Sequence, residues 1–185
     1  MRVITGTAKG KRLQEVPGNT TRPITDRVKE ALFSILGDWI IDSRVLDLFG
    51  GTGSVGIEAL SRGSRHVVFV EKAVAAQRTI QENLKRTGFA TQCKLVRGDA
   101  FKFLDIDNSE AYDIIYIAPP QYKQLWQRAL KIVDSRPELL TPDGIAIVQI
   151  HPKEFEVLPL NNLVLYDERK YGSTLLCFYE KPPTE

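Results

Sequence analysis

Short β-branched apolar runs alternate with helical stretches from residue 45 onward. Five runs predict strands, at residues 44–49, 66–71, 94–97, 112–117 and 144–150. Their nearly continuous apolar content is typical of parallel strands that are covered on both faces. Helices are predicted at 54–62, at about 73–86, and around Trp126, Leu130 and Val133. This alternation indicates βαβ units on a parallel sheet.

The pattern changes after Pro159. Residues 162–166 and 174–179 form two further apolar runs, joined across Lys170-Tyr171-Gly172-Ser173. That spacing favours an antiparallel hairpin. The sequence therefore predicts an α/β fold with a mostly parallel seven-stranded sheet and an antiparallel C-terminal hairpin.

An extension precedes the first predicted strand. Helical spacing predicts a helix of about residues 26–40, with Thr25 or Asp26 as N-cap, from Val28, Ala31, Leu32, Ile35 and Leu36. Residues 1–16 alternate weakly and predict a small hairpin around Gly6 to Gly10. Because 185 residues suit one domain, we expect a single domain, with residues 1–40 as a basic hairpin-and-helix extension and 41–185 as the core.

Composition narrows the class of protein. With 43% hydrophobic, 26% charged and 9% aromatic residues, the chain is unlike disordered, collagen-like or coiled-coil proteins. No apolar run approaches the roughly 20 residues that span a bilayer, and the N-terminus lacks a secretory core. We therefore expect a cytoplasmic protein with no membrane partner. The two cysteines, Cys93 and Cys177, suggest neither disulfides nor a metal site. Separately, we expect the protein to be a monomer.

The net charge of +2 is unevenly distributed. Residues 1–33 contain seven Lys or Arg against three acids, a net charge of +4. Clustered cations can bind nucleic-acid phosphate. Short basic stretches are also common on solvated surfaces, and charge alone favours that interpretation.

A glycine-rich segment follows the first predicted strand. Gly51-Thr52-Gly53-Ser54-Val55-Gly56 matches G-x-G-x-x-G between a strand and a helix. Such loops turn tightly and lie at the carboxyl ends of strands, where helix N-terminal amides face a ligand. The match by itself also fits a nicotinamide-dependent dehydrogenase.

Acidic residues near three predicted strand ends narrow the choice of ligand. Glu71 closes the second strand, where an acid can accept hydrogen bonds from both ribose hydroxyls. Asp47 lies near the end of the first strand and Asp99 follows the third, where it could instead cap a helix. Three acids suit the ammonium, sulfonium, ribose and adenine amine of S-adenosylmethionine better than a pyrophosphate.

A stiff turn ends the fourth predicted strand. In Ala118-Pro119-Pro120, two prolines fix φ and supply no N–H, so nearby carbonyls remain free to accept hydrogen bonds. One interpretation of this turn is a rigid strand terminator, but its position at a strand's carboxyl end favours a functional role.

These motifs resemble a known family. Asp47-Leu48-Phe49-Gly50-Gly51-Thr52-Gly53, followed by Glu71, Asp99 and Pro119-Pro120, resembles the amino-methylating class I S-adenosylmethionine-dependent methyltransferases. The stretch from Arg22 to Phe33, preceded by Gly10-Lys11-Arg12-Leu13, is similar to the N-terminal signature of the RsmD-like methyltransferases. That family modifies a guanine exocyclic amine in bacterial 16S ribosomal RNA. The resemblance implies a Rossmann-like fold and small-subunit RNA or particles as partner.

The resemblance also implies roles for particular residues. The methionine part of S-adenosyl-L-methionine would contact Asp47, Phe49, Gly50, Gly51 and Gly53. Glu71, with Lys72 beside it, would hold the ribose, while Asp99 and Ala100 would contact the adenine. In this family context, the basic residues of the N-terminal segment become candidate RNA contacts: Lys9, Lys11, Arg12, Arg22, Arg27 and Lys29.

The chain departs from the family pattern at the predicted catalytic segment, which comprises Ala118, Pro119, Pro120, Gln121 and Tyr122. The family has Asp or Asn, then Pro-Pro, then an aromatic residue. The acid or amide accepts a hydrogen bond from the reacting amine, and the aromatic ring stacks on the base. Here the Pro119 carbonyl, Gln121 or Tyr122 would have to substitute. The alternatives are a binding protein with reduced or lost catalysis, and a methyltransferase with a DNA or protein-amide acceptor.

Overall fold

The computed structural model describes residues 1–18, 23–106 and 110–183. These residues contain seven strands: β1 (Arg44–Asp47), β2 (His66–Glu71), β3 (Cys93–Arg97), β4 (Tyr112–Ile117), β5 (Leu140–Ile150), β6 (Val164–Tyr171) and β7 (Thr174–Glu180). The α-helices are α1 (Asp26–Leu36), α2 (Ser54–Ser61), α3 (Val74–Thr87), α4 (Ala100–Asp105) and α5 (Leu125–Ser135). None of these helices is long and apolar enough to cross a membrane.

The chain divides into two compact units, Met1–Ala100 and Phe101–Glu185. In the first unit, β1, β2 and β3 are parallel and follow the order β3-β2-β1. In the second unit the order is β4-β5-β7-β6, with β4 and β5 parallel and the other pairs antiparallel. The predicted α/β class, mostly parallel with an antiparallel C-terminal hairpin, is confirmed. The single-domain organisation stays a prediction.

Most predicted elements lie where the sequence pattern put them. β2 and β4 have the predicted bounds, and α3 ends at the left-handed Gly88, as expected. α1 is shorter than predicted because a 3₁₀ turn replaces it from Gly37 to Ile40. Its predicted N-cap is confirmed, since the Thr25 hydroxyl accepts from the Val28 amide at 3.3 Å.

Other elements differ from the prediction, among them β1, which ends at Asp47 rather than at Phe49. β5 begins at Leu140, ahead of Pro142, because its pairing with β4 shifts register after Tyr112 and so tolerates the proline. β6 continues to Tyr171, since this mostly exposed strand has no continuous apolar run to mark its length. α4 is six residues long, too short for helical periodicity to be recognised.

The N-terminal residues form the predicted small hairpin. Arg2 and Arg12 make an isolated antiparallel bridge. The Val3 amide donates to the Lys11 carbonyl, and the Gly10 amide donates to the Val3 carbonyl, both at 2.9 Å. The ladder is therefore limited to a few hydrogen bonds around the turn.

The packing of α2 on β2 leaves no room for a side chain at Gly56. Every residue of α2 is buried. A Cβ at Gly56 would lie 2.3 Å from the Phe69 ring and 2.9 Å from Val67. The final glycine of the motif therefore serves close helix-to-strand packing, which sets the height of α2 above the sheet.

Replacing Gly56 by Ala should lower the free energy of unfolding by about 1–3 kcal/mol, because the buried Phe69 ring must move. Gly98→Ala is the matched control, since a Cβ there meets nothing within 4 Å. The control should be neutral or stabilising by up to about 1 kcal/mol. Urea unfolding followed by circular dichroism measures both, and equal stability of the two variants would contradict the packing argument.

Candidate functional site

Three acids meet at one edge of the sheet in the first unit. Asp47 is the last residue of β1, Glu71 is the last of β2, and Asp99 follows β3 by two residues. The parallel register places Asp47 beside Phe69 and Glu71 beside Arg97. The structure thus brings together the three strand ends that the sequence singled out.

The glycine turn lies against the same edge. The Gly50 amide donates to the Val70 carbonyl at 2.9 Å, and the Gly53 amide donates to the Gly50 carbonyl at 2.7 Å. Gly53 precedes α2 with φ of 77°, a left-handed conformation that favours glycine. The turn therefore joins the end of β1 to the N-terminus of α2, next to the end of β2.

Glu71 holds this turn as well as facing the edge of the sheet. One carboxylate oxygen accepts from the Gly51 amide at 2.8 Å, and the other accepts from the Ala73 amide at 2.7 Å. Each carboxylate oxygen can accept a further hydrogen bond. The Glu71 side chain is therefore fixed in orientation while retaining capacity for donors on a ligand.

Asp47 is buried beneath the turn. Its carboxylate accepts from the Gly56 amide at 3.3 Å. Burial raises the pKa of Asp47 to about 7, a rise that the Gly56 hydrogen bond opposes and the nearby Glu71 carboxylate reinforces. A cationic ligand group at this position would favour the ionised form of Asp47.

The other predicted cofactor residues surround these acids. Lys72 is exposed, and its ammonium lies 3.9 Å from the partly exposed Asp99 carboxylate. Phe49 is half-buried, while Gly50 and Ala100 are buried. Their ligand roles stay predictions. Across the described parts of the chain, no group of three or more His, Cys, Asp or Glu side chains could hold a metal ion.

A buried carboxylate on α2 binds the N-terminal segment. Glu58 accepts from the backbone amides of Ile4 and Thr5, at 2.9 and 3.0 Å. It also accepts from the Arg62 guanidinium at 2.8 Å and lies 3.5 Å from the Lys29 ammonium. Glu58 is not among the residues predicted from the sequence, although an acid within an otherwise small and apolar helix could have indicated a buried partner.

Lys29 completes this cluster and is not an RNA contact. Its side chain is fully buried, and its ammonium donates to the Arg2 carbonyl at 2.6 Å and to the Ser54 hydroxyl at 2.9 Å. Burial lowers the pKa of Lys29, against the opposing effect of Glu58. The prediction that Lys29 binds phosphate is therefore wrong, because solvent and RNA cannot reach it.

Four other predicted RNA contacts lie on the surface: Lys9, Lys11, Arg12 and Arg27 are all exposed. Their binding role stays a prediction. Arg22 lies outside the described residues.

Asn83 on α3 also supports the glycine turn. Its buried side-chain amide donates to the Thr52 carbonyl at 2.9 Å and to the Gln14 carbonyl at 3.1 Å. Its carbonyl accepts from the Gln14 amide at 2.7 Å. Asn83 lies among Ile80 and Leu84 on the buried face of α3, and a polar residue at such a position was the signal available in the sequence.

In the second unit, the Ala118–Tyr122 segment follows β4. Pro119 is buried, whereas Gln121 and Tyr122 are exposed, Tyr122 to 65%. Tyr122 has φ of 61°, which is uncommon for a residue with a bulky side chain. The surrounding structure must therefore hold this conformation in place.

Glu154 supplies part of that support. One of its carboxylate oxygens accepts from the Tyr122 amide at 2.7 Å, and the other accepts from the His151 amide at 3.1 Å. The His151 ring lies 5.8 Å from the Tyr122 ring, tilted by 40°. Neither Glu154 nor His151 is among the residues predicted from the sequence, because nothing local links them to the proline turn.

The raised pKa of Asp47 predicts a pH dependence of stability. An acid whose pKa is higher in the folded state destabilises the fold as pH rises from the unfolded value toward the folded one, because the unfolded chain ionises first. In the absence of ligand, Asp47→Asn should therefore gain stability over the wild type as pH rises from about 4 to about 7. Urea unfolding between pH 4 and 8 measures this difference. A difference that is constant over that range would contradict the burial argument.

Comparisons with known proteins agree with this architecture. The family model described as "Conserved hypothetical protein 95" matches residues 1–180. YlbH of Bacillus subtilis is 37% identical over 185 residues, covering 98% of this chain and 99% of that protein. Ribosomal RNA small subunit methyltransferase D of Escherichia coli is 28% identical over 183 residues, covering 98% of this chain and 90% of that protein.

Among solved structures, yhhF from Escherichia coli is similar over 98% of this chain and 97% of its own, with a TM-score of 0.86 and 28% identity. This likeness confirms the predicted Rossmann-like methyltransferase fold. Since the family match extends over almost the whole sequence, the chain belongs to the conserved hypothetical protein 95 family, that of the RsmD-like methyltransferases.

Proposed function

We propose that this protein transfers a methyl group from S-adenosyl-L-methionine to the exocyclic N2 amine of a guanine in small-subunit ribosomal RNA. The observation that carries the proposal is the set of acidic strand ends around the glycine turn, in a chain of this methyltransferase family. The named activity of the Escherichia coli relative on ribosomal RNA favours RNA over DNA or a protein amide as acceptor.

The first unit offers groups that fit S-adenosyl-L-methionine, which when bound supplies a methyl group activated by its sulfonium. Glu71, oriented by the Gly51 and Ala73 amides, would accept hydrogen bonds from the ribose hydroxyls. Asp47 would face the ammonium or sulfonium, and either positive charge would draw it into its ionised form. Asp99 would accept from the adenine amine. Acids in these positions would repel the negatively charged pyrophosphate of a nicotinamide cofactor. They therefore disfavour the alternative of a nicotinamide-dependent dehydrogenase.

The second unit would receive the guanine. Tyr122 exposes most of its ring and is the aromatic residue available for stacking, since Gln121 occupies the family's aromatic position. Glu154 and His151 would keep the Tyr122 ring in place. The Tyr122 ring would then stack on the guanine from one residue beyond the position where the family has its aromatic residue.

Ala118 leaves the reacting amine without a side-chain acceptor. The N2 lone pair is delocalised into the guanine ring, so an acceptor that directs the amine protons helps to aim its electrons at the methyl carbon. We assign that role to the Pro119 carbonyl or the Gln121 side-chain oxygen. Losing a charged acceptor removes roughly 1.5–3 kcal/mol of transition-state stabilisation. This loss slows methyl transfer by a factor of about 10 to 100 without abolishing it.

The exposed cations of the N-terminal segment would bind RNA phosphate. Lys9, Lys11, Arg12 and Arg27 are exposed on a segment that Glu58 anchors to α2. Anchoring lowers the entropy lost when these side chains meet the RNA backbone.

A second candidate function is binding of cofactor and RNA without transfer. Ala118 is the observation that favours it, because this residue removes the acceptor that the family places at the reacting amine. Such a protein would bind the same partners and incorporate no methyl group.

Replacing Glu71 by Ala should weaken the affinity for S-adenosylhomocysteine at least tenfold, because two ribose hydrogen bonds are lost and the Gly51 amide loses its acceptor. Glu82→Ala is the control, since Glu82 is an exposed acid on α3 that pairs with Lys85. Isothermal titration calorimetry measures both dissociation constants. An unchanged constant for Glu71→Ala would remove Glu71 from the cofactor site.

The methyl-transfer reaction tests the function itself. Purified protein with labelled S-adenosyl-L-methionine should label small-subunit RNA from cells that lack the corresponding methyltransferase. Tyr122→Ala should reduce kcat/KM about 5- to 150-fold through lost stacking, at about 1–3 kcal/mol per base, whereas Tyr122→Phe should retain most of the activity.

Wild-type protein that binds S-adenosylhomocysteine and RNA yet labels neither free RNA nor assembled particles would select the binding-only function. Equal activity of Tyr122→Ala and Tyr122→Phe would exclude Tyr122 from stacking. Melting temperatures of both variants should match the wild type, because the ring is mostly exposed.

A further inference from the structure

In the second unit, a basic groove lies on the exposed side of α5 and of the residues directly before it. Trp126, Leu130 and Val133 bury the inner face of the helix. Lys123, Arg128 and Lys131 are exposed and line an open groove of about 620 Å³ on the other side. The residues that line this groove include no acid.

The geometry keeps these positive charges available. The Arg128 guanidinium lies 4.0 Å from the centre of the Phe101 ring, a contact that orients its plane without neutralising its charge. Within residues 1–18, 23–106 and 110–183, none of the three cations forms an ion pair with a carboxylate. Among the described residues, the three positive charges of the groove therefore have no carboxylate partner.

Two acids lie on α5 or contact it, and each accepts hydrogen bonds from neutral donors. Asp134 on α5 points inward, where its carboxylate accepts from the backbone amides of Asn161, Asn162 and Leu163. Glu156 accepts from the Gln127 side chain at 2.9 Å, at the edge of the groove. The three cations of the α5 face thus outnumber the one carboxylate, that of Glu156, which hydrogen-bonds to a residue lining the groove.

We propose that the α5 face, defined by Lys123, Arg128 and Lys131, binds the phosphate backbone of the RNA substrate. Lys123 directly follows Tyr122, so the cations extend along the chain from the residue proposed to stack on guanine. A planar guanidinium suits a phosphate, and flexible lysines can follow a single-stranded backbone. The inference rests on the proposed function and adds a second RNA-binding surface, in a different unit from the N-terminal cations.

The test compares two double variants that each remove one arginine and one lysine from an exposed surface of the second unit. Arg128→Gln with Lys131→Gln alters the α5 face, and Arg169→Gln with Lys170→Gln alters the exposed strand β6. Binding of a naked small-subunit RNA fragment is measured from low to high salt. Binding of S-adenosylhomocysteine and the melting temperature are measured for each variant.

Removing two phosphate contacts should weaken RNA binding about tenfold near 0.15 M salt and lower the slope of log affinity against log salt by about 1.4. The β6 variant should bind like the wild type. Arg128→Lys, which keeps the charge, should keep the salt slope. Methyl transfer by the α5 variant should show a raised KM with little change in kcat, and its S-adenosylhomocysteine affinity should equal that of the wild type.

A salt slope that is unchanged in the α5 variant, or lowered equally in the β6 variant, would overturn this inference. The proposed function would still stand, because methyl transfer is measured separately. Weaker binding to assembled particles alone, with naked RNA unaffected, would assign the face to a ribosomal protein and also overturn it. If the wild-type protein fails to bind RNA at every salt concentration tested, both this inference and the proposed function are overturned.

Discussion

The first unit depends on a buried ion pair, that of Lys29 and Glu58. Burying two charges costs several kcal/mol per ion unless hydrogen bonds replace the lost water. Here Glu58 accepts from two backbone amides and one guanidinium, and Lys29 donates to a carbonyl and a hydroxyl. The pair joins three parts of the chain that are distant in sequence. Removing Glu58 would leave the buried Lys29 ammonium without its paired carboxylate, whereas removing Lys29 would leave Glu58 paired with the Arg62 guanidinium.

This pair also connects the basic N-terminal segment to the glycine turn. Lys29 contacts Ser54 at the start of α2, and Glu58 lies one turn further along the same helix. Asn83 and Glu71 secure the turn from α3 and β2. A site that discriminates a ligand by the placement of a few acids needs such support, because hydrogen bonds weaken steeply with poor geometry. The N-terminal surface that we assign to RNA and the turn that we assign to the cofactor are therefore connected through side-chain contacts within this unit.

The sequence predicted features whose signal is local. Continuous apolar runs identified β2 and β4, and the glycine spacing located the turn before α2. It could not predict that Lys29 is buried, because a lysine on a helix looks the same whether its partner is water or Glu58. Glu154 was missed for the same reason, since only the fold brings it to the Tyr122 amide. Charge and spacing thus indicate which residues can do chemistry, whereas tertiary contacts decide which of them face a ligand.

The most direct test of the account is the identity of the methylated nucleoside. Small-subunit RNA would be treated with this protein and S-adenosyl-L-methionine carrying a deuterated methyl group, digested to nucleosides and analysed by mass spectrometry. The account predicts that the label appears in N2-methylguanosine. Label in another nucleoside, with none in N2-methylguanosine, would contradict it.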